Sequence, residues 1–250
     1  MATSDMAKSL QVWPLRHCVM LFLAVLFLTG DLVPNSRVSA TDPDPLQDFC
    51  IADLEVAGPE PVMNGFPCKA ASLATTEDFA FAGLANAANL TGNPLGGTVT
   101  SGSVVHWPAM NTLGLTILRL DIAPGGIIMP HTHSLATEIL FCLEGEIYTG
   151  FVTNSDNPIV PNKLYAKIVK KGEAFIFPRG LLHFQLNKGT VHAASLNVLN
   201  SQRPGLQLMP VALFGTGIDP ELLEKSFFIN ATEVGALGAV LTQFVDIFKS

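Results

Sequence analysis

Three histidines and one glutamate, in two separate segments, have the residue types and spacing of a metal site. His131, His133 and Glu138 lie close together in an apolar region, and His183 lies in a second segment rich in Gly and Pro. Residues i and i+2 of a β-strand point to the same face, so His131 and His133 can enter one interior together. Four such ligands leave two positions open on an octahedral ion. The lack of thiolates favours manganese, iron or a similar metal, and a closed tetrahedral zinc site is the alternative.

The elements that must position these residues are short apolar runs, found from about residue 100 to 215. Gly, Pro and Asn separate the runs, and their β-branched and aromatic content predicts strands. No helical pattern lies between them, so the sequence favours an antiparallel sandwich or barrel over a parallel α/β fold. The predicted strands lie within Leu113–Ile122, Glu138–Val152, Leu164–Val169, Ala174–Phe177, His183–Leu186 and Val191–Leu199.

The C-terminal tail has the pattern of two helices. Asp219-Pro220-Glu221 is a helix start, with a capping Asp and Pro at the first helical position. Helices beyond a closed barrel have little barrel surface left to cover, so we expect them to pack on another subunit. The expected apolar positions are Leu222, Leu223 and Phe227 in the first helix and Val234, Leu237, Leu241, Phe244 and Val245 in the second.

The first 40 residues have the composition of a secretory signal peptide. Basic residues precede the apolar run Val19–Leu28, which is too short to span a bilayer, and Val38-Ser39-Ala40 offers a small-residue cleavage site. A buried N-terminal helix is the alternative. Cleavage after Ala40 removes three of the 14 basic and two of the 21 acidic residues. The mildly acidic remainder has no basic cluster for nucleic acid and no second long apolar run for a membrane.

The cysteines and two sequons fit an oxidising, secretory compartment. Cys50 and Cys68 lie 18 residues apart in an irregular, Pro- and Gly-rich segment, and we expect them to pair. Cys142 sits in an apolar strand pattern and is predicted to be a buried structural thiol rather than a ligand or nucleophile. Asn89-Leu-Thr91 and Asn230-Ala-Thr232 are candidate glycosylation sites.

The two segments that carry the candidate ligands each form a longer motif, called a box below, and further matches lie on either side of them. They read Gly-x5-His-x-His-x4-Glu-x6-Gly and Gly-x5-Pro-x-Gly-x2-His-x3-Asn, with Asn187 closing the second. Flanking matches include Asp42 to Cys50, Asn64 to Lys69, Trp107-Pro108, Asn111 to Gly114 and Leu213-Phe214-Gly215. On these residues the sequence resembles the plant germin-like proteins of the cupin superfamily, over nearly all of the chain after residue 40.

The resemblance implies a jelly-roll β-barrel and a secreted, apoplastic protein. It divides the chain into a signal peptide (1–40), an arm held by the Cys50–Cys68 disulfide (41–80), a barrel (81–215) and a helical oligomerisation segment (216–250). It also implies one Mn²⁺ per subunit and a homohexamer, a trimer of dimers clasped by the C-terminal helices. The implied manganese ligands are His131, His133, Glu138 and His183.

Four positions depart from the family pattern and bear on the substrate. Alignment on the His-x-His box places Leu118 and Ile128 where oxalate oxidases have two substrate-holding asparagines, and neither can donate a hydrogen bond. Ser134-Leu135 stands where many members have Pro-Arg, and the absence of that arginine weakens the attraction for anions. Oxalate is therefore disfavoured, whereas superoxide needs little more than a redox-active metal with an open position.

The leading hypothesis is a superoxide dismutase-type activity that produces hydrogen peroxide, with a role in plant defence implied by the family. A non-enzymatic binding or storage protein of the cell wall is the alternative, and oxalate oxidase is the third. Among the remaining polar residues, His106 and His192 are predicted to be exposed rather than ligands. Asn187 is either a hydrogen-bond partner of a metal ligand or a turn residue at a strand end.

Overall fold

A computed structural model describes residues 47–56, 65–157 and 159–247. The predicted signal peptide and its cleavage site lie outside these residues. None of the helices described is long and apolar enough to cross a membrane.

In the described residues, ten strands form two five-stranded antiparallel sheets, which confirms the predicted antiparallel β-fold. The strands are β1 (Gly97–Gly102), β2 (Thr116–Ile122), β3 (Ile127–His133), β4 (Glu138–Glu144), β5 (Glu146–Val152), β6 (Leu164–Lys170), β7 (Ala174–Phe177), β8 (Leu182–Leu186), β9 (Ala193–Leu199) and β10 (Leu206–Leu208). The first sheet has the order β1-β2-β9-β4-β7 and the second has the order β10-β3-β8-β5-β6.

The core lies between the two sheets and follows the alternation of the strands. In β4, Glu138, Leu140 and Cys142 point inward and are buried, whereas Ile139 and Phe141 point outward. Full burial of one aliphatic side chain of this kind stabilises a fold by about 1.5–3 kcal/mol. The buried cluster comprises Leu120, Ile122, Ile128, Leu140, Cys142, Ile147, Val169, Phe177 and Ala193.

Strand β3 contains an irregularity that decides which of its residues face the interior. Its register with β8 shifts between Ile128 and His131, and Pro130 lies at the exposed outer side of this shift. Residues three apart would face opposite sides of a regular strand, but the extra residue of a bulge restores the same side. Ile128 and His131 therefore both point into the barrel.

The strand boundaries differ from the predicted runs in two ways. The run Glu138–Val152 is two strands that meet at Gly145, whose φ is +67° and where a Cβ would lie 2.6 Å from the His192 carbonyl oxygen. Strands β1, β3 and β10 have no counterpart among the predicted runs, although the His131-x-His133 spacing does predict a strand at β3. The sequences of β1 and β10, GTVTSG and LQL, carry few apolar residues.

Within the described part of the chain, three helices follow β10: α1 (Met209–Phe214), α2 (Pro220–Phe227) and α3 (Ala231–Ile247). The two predicted helices are α2 and α3, and Asp219 caps α2 by accepting a hydrogen bond from the Glu221 N–H at 2.8 Å. Helix α1 packs on β3 and β10, and α3 packs on α1 and α2. Of the predicted apolar positions, Leu223 and Val234 are buried, Leu241 is partly buried, and Leu222, Phe227 and Leu237 are exposed. The side chains of Phe244 and Val245 lie outside the described part of the structure.

The segment before the barrel is held by the disulfide predicted between Cys50 and Cys68, whose Cα atoms lie 4.9 Å apart. The Ala52 N–H donates to the Pro108 carbonyl at 2.9 Å, which ties the segment to the turn before β2. The Asn111 amide donates to the Phe66 carbonyl at 2.9 Å from the same turn. A second apolar cluster of Ala52, Val104 and Met110 forms beneath these contacts.

Removal of this disulfide is expected to lower stability by about 3 kcal/mol, because the crosslink closes an 18-residue loop in the unfolded chain. The measurement is urea unfolding of a Cys50→Ala, Cys68→Ala variant beside oxidised and reduced wild-type protein. The variant and the reduced protein should agree. A loss below about 1 kcal/mol would show that the loop contributes little to the unfolded-state entropy.

Candidate metal centre

Four predicted ligands meet inside the barrel. His131 and His133 lie on β3, Glu138 is the first residue of β4, and His183 lies on β8 directly opposite His131. All four side chains are buried, and their candidate ligand atoms lie within 4.8 Å of one another. The structure therefore brings together residues that are up to 52 positions apart in the sequence, from His131 to His183.

Gly180, the glycine of the Pro-x-Gly motif before β8, sets where that strand enters the barrel. Gly180 has φ +76°, a conformation that favours glycine, and its N–H donates to the His133 carbonyl at 3.0 Å. This bond joins the second sequence box to the first. It places β8 so that His183 enters the barrel beside the His-x-His pair.

Hydrogen bonds to backbone carbonyls orient two of the three imidazoles. Nδ1 of His131 lies 2.8 Å from the Met129 carbonyl oxygen, and Nδ1 of His183 lies 2.7 Å from that of Leu181. A carbonyl can only accept, so each Nδ1 carries the proton and each Nε2 keeps a free lone pair. Nε2 is thus the atom that each ring offers to an ion.

The Glu138 carboxylate lies at the centre of the cluster. Its Oε2 is 3.2 Å from Nε2 of His133 and 3.2 Å from Nε2 of His183, while Oε1 accepts a hydrogen bond from the Asn197 amide. Burial alone would raise the pKa of Glu138, but its close contacts with His133, His183 and Asn197 outweigh it and hold the pKa far below its ordinary value. The glutamate is therefore an ionised, acceptor-only group.

The imidazole of His131 is neutral. Burial, reinforced by the nearby His183, lowers its pKa from 6.5 to about 3. A neutral imidazole is the form that binds metal. Donors about 2.1 Å from a common ion lie about 3 Å apart when adjacent, which the 3.2 Å separations around Glu138 match. The residues present therefore fit a metal ion.

Two residues that support the ligands were not identified from the sequence. Asn197 on β9 donates to Glu138, and the Phe177 ring stacks on His183 with centroids 4.5 Å apart and planes 20° from parallel. A usable signal was present for the first, because Ser195 and Asn197 are polar residues at alternate positions of an otherwise apolar predicted strand. Phe177 is indistinguishable from a core residue by sequence.

Asn187 acts as a turn residue in this structure. Its amide donates to the Ile122 and Val191 carbonyls, at 2.8 Å each, and its Oδ1 accepts from the Gly189 N–H at 2.9 Å. None of these partners is a metal ligand. Of the two roles predicted for Asn187, these contacts fit the strand-end turn.

The other two histidines among the described residues lie away from the four donors. His106 is exposed, with Nδ1 3.0 Å from the Ser103 hydroxyl. His192 is only partly exposed, because it lies 3.2 Å from the buried Asp121 carboxylate and 3.0 Å from that of Glu144. The prediction that neither is a ligand agrees with these positions, but His192 belongs to an ion-pair cluster with Arg119 rather than to the open surface.

The other predicted residues occupy the environments expected of them. Cys142 is a buried free thiol, and burial raises its pKa, which makes it unreactive. Asn89 and Asn230 are both exposed, as an attached glycan requires, and Asn230 also accepts a hydrogen bond from the Glu233 N–H at 3.1 Å. Ser134 is bound by Arg179, whose Nε donates to the Ser134 carbonyl at 3.0 Å.

A cavity of about 260 Å³ opens beside the donors. Leu118 and Ile128, which the family resemblance aligns with the substrate-holding asparagines of oxalate oxidases, both line it. The wall is mostly aliphatic, and its other members include Val99, Leu120, Gln185, Leu206 and Leu208. The metal centre thus faces a small, largely apolar chamber.

Comparison with known proteins agrees with this architecture. The cupin family model matches residues 82–235. Germin-like protein 1-1 of Oryza sativa subsp. japonica is 44% identical over 233 residues, covering 92% of this chain and 97% of the relative. Oxalate oxidase 2 of Hordeum vulgare is 44% identical over 202 residues, covering 80% and 88%.

A solved oxalate oxidase superposes with a TM-score of 0.74 at 41% identity, covering 80% of this chain and 98% of that one. The chain therefore belongs to the cupin family, as one of its germin-like proteins. Its buried His131, His133, Glu138 and His183 form a metal site like that of oxalate oxidase.

Removal of the Asn197 amide is expected to weaken metal binding by about 10–100-fold, because Glu138 then loses the hydrogen bond that orients it. Asn197→Ala is compared with Asn187→Ala, a matched change of a fully buried asparagine that contacts no ligand. The measurement is titration of metal-free protein with Mn²⁺. Equal losses of affinity in the two variants would contradict the orienting role of Asn197.

Proposed function

We propose that this protein is a secreted manganese enzyme of the apoplast that dismutates superoxide to dioxygen and hydrogen peroxide. The observation that carries the proposal is the buried three-histidine, one-glutamate cluster with a cavity at its open side. A redox-active metal in this cluster supplies the one-electron oxidation and reduction that the reaction requires. The disulfide and the exposed Asn89 support secretion.

The chain's own residues hold the metal and limit what reaches it. The imidazoles of His131 and His183 are oriented by Met129 and Leu181, and Glu138 is oriented by Asn197. Apart from the donors themselves, the residues that line the cavity include no titratable side chain. The two protons consumed for each hydrogen peroxide therefore come from solvent.

Oxalate is a poorer candidate substrate despite the similarity to oxalate oxidases. Leu118 and Ile128 in the cavity wall offer no hydrogen bond to a dianion. Each carboxylate oxygen left unpaired in such a chamber costs about 1–3 kcal/mol, or more because it is charged. Superoxide carries one charge and needs contact with the metal alone.

Purified protein loaded with Mn²⁺ is expected to dismutate superoxide, and the double variant His131→Ala, His183→Ala to lose both the metal and the activity. The reason is that two of the four donors, facing each other on β3 and β8, are then gone. Activity is measured by superoxide consumption, with metal content determined on the same samples. The matched control is His106→Ala, an exposed histidine outside the cluster.

Three outcomes would contradict the proposal. Activity that persists in the metal-free double variant would separate the reaction from the metal site. Robust peroxide production from oxalate would show that Leu118 and Ile128 do not exclude that dianion. Substoichiometric metal in protein isolated from its native cell wall would favour the non-enzymatic binding or storage function.

We also propose that the protein assembles as a homohexamer, a trimer of dimers. An apolar row supports this, because the outward-facing Ile176, Ile139 and Val198 lie side by side on β7, β4 and β9. These side chains are 55%, 47% and 38% exposed, respectively, in the single chain. Exposed apolar residues on the helices give a second surface that a neighbouring subunit can cover: Leu222, Phe227, Phe228, Leu237 and Val240.

A charge within the apolar row is expected to break the assembly without disturbing the metal site, because the row faces away from the barrel interior. Ile139→Glu, Ile176→Glu protein should sediment as a smaller species than wild type and keep its metal content. The control is Ile159→Glu, an 88%-exposed isoleucine outside the row. A wild-type monomer, or an unchanged sedimentation coefficient in the double variant, would contradict the proposed interface.

A further inference from the structure

We infer that the cavity beside the metal ligands is a binding site for a small neutral organic molecule with an apolar body and one hydroxyl or carbonyl oxygen, which Gln185 holds. The inference goes beyond dismutation of superoxide and does not depend on it. It stands on the unpaired amide of Gln185, on the reason that this amide has no partner, and on the size and polarity of the cavity.

Gln185 carries a buried amide that points into the cavity. It lies on β8 two residues after His183, so both side chains occupy the same face of the strand. The residue is 1% exposed and lines the cavity. Neither its Oε1 nor its Nε2 has a hydrogen-bond partner among the described residues.

The neighbouring strands explain why the amide is unpaired. The residue opposite Gln185 on β3 is Ile128, which has no hydrogen-bonding group, and the residue opposite on β5 is Thr149. The Thr149 hydroxyl donates to the Phe184 carbonyl at 2.6 Å. Buried polar groups are costly when unpaired, so a ligand oxygen at this position gains a hydrogen bond that the protein itself does not satisfy.

The rest of the cavity favours an apolar ligand body. Aliphatic side chains dominate the wall, and the Thr116 hydroxyl that also lines it already donates to the Ser201 carbonyl at 2.8 Å. The wall includes one carboxylate, Glu138, and no lysine or arginine. With no metal ion at the donors, an anion entering this chamber would be desolvated without a cation to balance it, whereas a neutral molecule avoids that cost.

The volume sets the size of the ligand. The cavity measures about 260 Å³. In another protein, an engineered cavity of about 150 Å³ lined by Leu, Ile and Phe binds benzene. A single aromatic ring with one polar substituent therefore fits, and the glutamine amide can accept from a hydroxyl or donate to a carbonyl.

The test is calorimetric or ligand-observed NMR titration of the metal-free protein with three probes: phenol, toluene and benzoate. Phenol is expected to bind roughly tenfold more tightly than toluene, the effect of one net hydrogen bond. Benzoate is expected to bind more weakly than phenol. The Gln185→Met variant, which keeps the side-chain length but lacks the amide, should lose about tenfold in phenol affinity and none for toluene. Gln207→Met is the matched control, because Gln207 is exposed on β10.

A second variant tests the role of Gln185 even if the Gln185→Met protein does not fold. Ile128→Asn gives Gln185 a hydrogen-bonding residue across the β3–β8 pair and is expected to weaken phenol binding. Equal phenol affinity in wild-type and Gln185→Met protein would overturn the role of the amide. Absence of saturable phenol binding, with only ordered water on Gln185, would overturn the site. Because the protein is metal-free, a failed dismutase assay leaves these outcomes unaffected.

Discussion

The ionised carboxylate of Glu138 in the barrel interior is the constraint on which the rest of the site depends. A buried carboxylate without partners is strongly unfavourable, and the compensating groups here come from three different strands: imidazoles on β3 and β8 and an amide on β9. The strand register, the Gly180 turn and the bonds of His131 and His183 to backbone carbonyls all act to hold these partners in place. A metal ion completes the compensation, because it adds positive charge where four electron-pair donors converge.

The ligands could be predicted because their chemistry is local in sequence. The His-x-His spacing alone predicts that both imidazoles lie on one face of a strand. Glu138 and His183 occur in sequence boxes whose glycines mark the turns that position them. The same locality explains why helix α2 could be predicted from Asp219 and Pro220, whose capping role requires only neighbouring residues. Most strands of the barrel were predicted for a similar reason, since their apolar runs contain the signal within a few residues.

The parts that could not be predicted depend on pairings between distant strands. The bulge between Ile128 and His131 exists only relative to β8, so strand periodicity alone would have placed those two side chains on opposite faces. Asn197 meets Glu138 across the β4–β9 pair, and its role follows from a register that no single segment encodes. The sequence predicts an exposed His192 and misses its contacts with Asp121 and Glu144, because those two residues come from other strands of the sheet.

The metal ligands and most of the cavity wall are different residues, and this limits what family membership implies. The donors lie on β3, β4 and β8, while the cavity wall also draws on Leu118 of β2 and on Ile128 at the β3 bulge. A substitution of a wall residue other than the donors His131, His133 and Glu138 changes the polarity of the chamber without replacing a ligand. Relatives about 44% identical can therefore share the metal centre with this chain and differ in what they bind beside it. Gln185 shows what such a wall residue does locally: the apolar Ile128 opposite it offers no hydrogen bond, and the amide has no partner among the described residues.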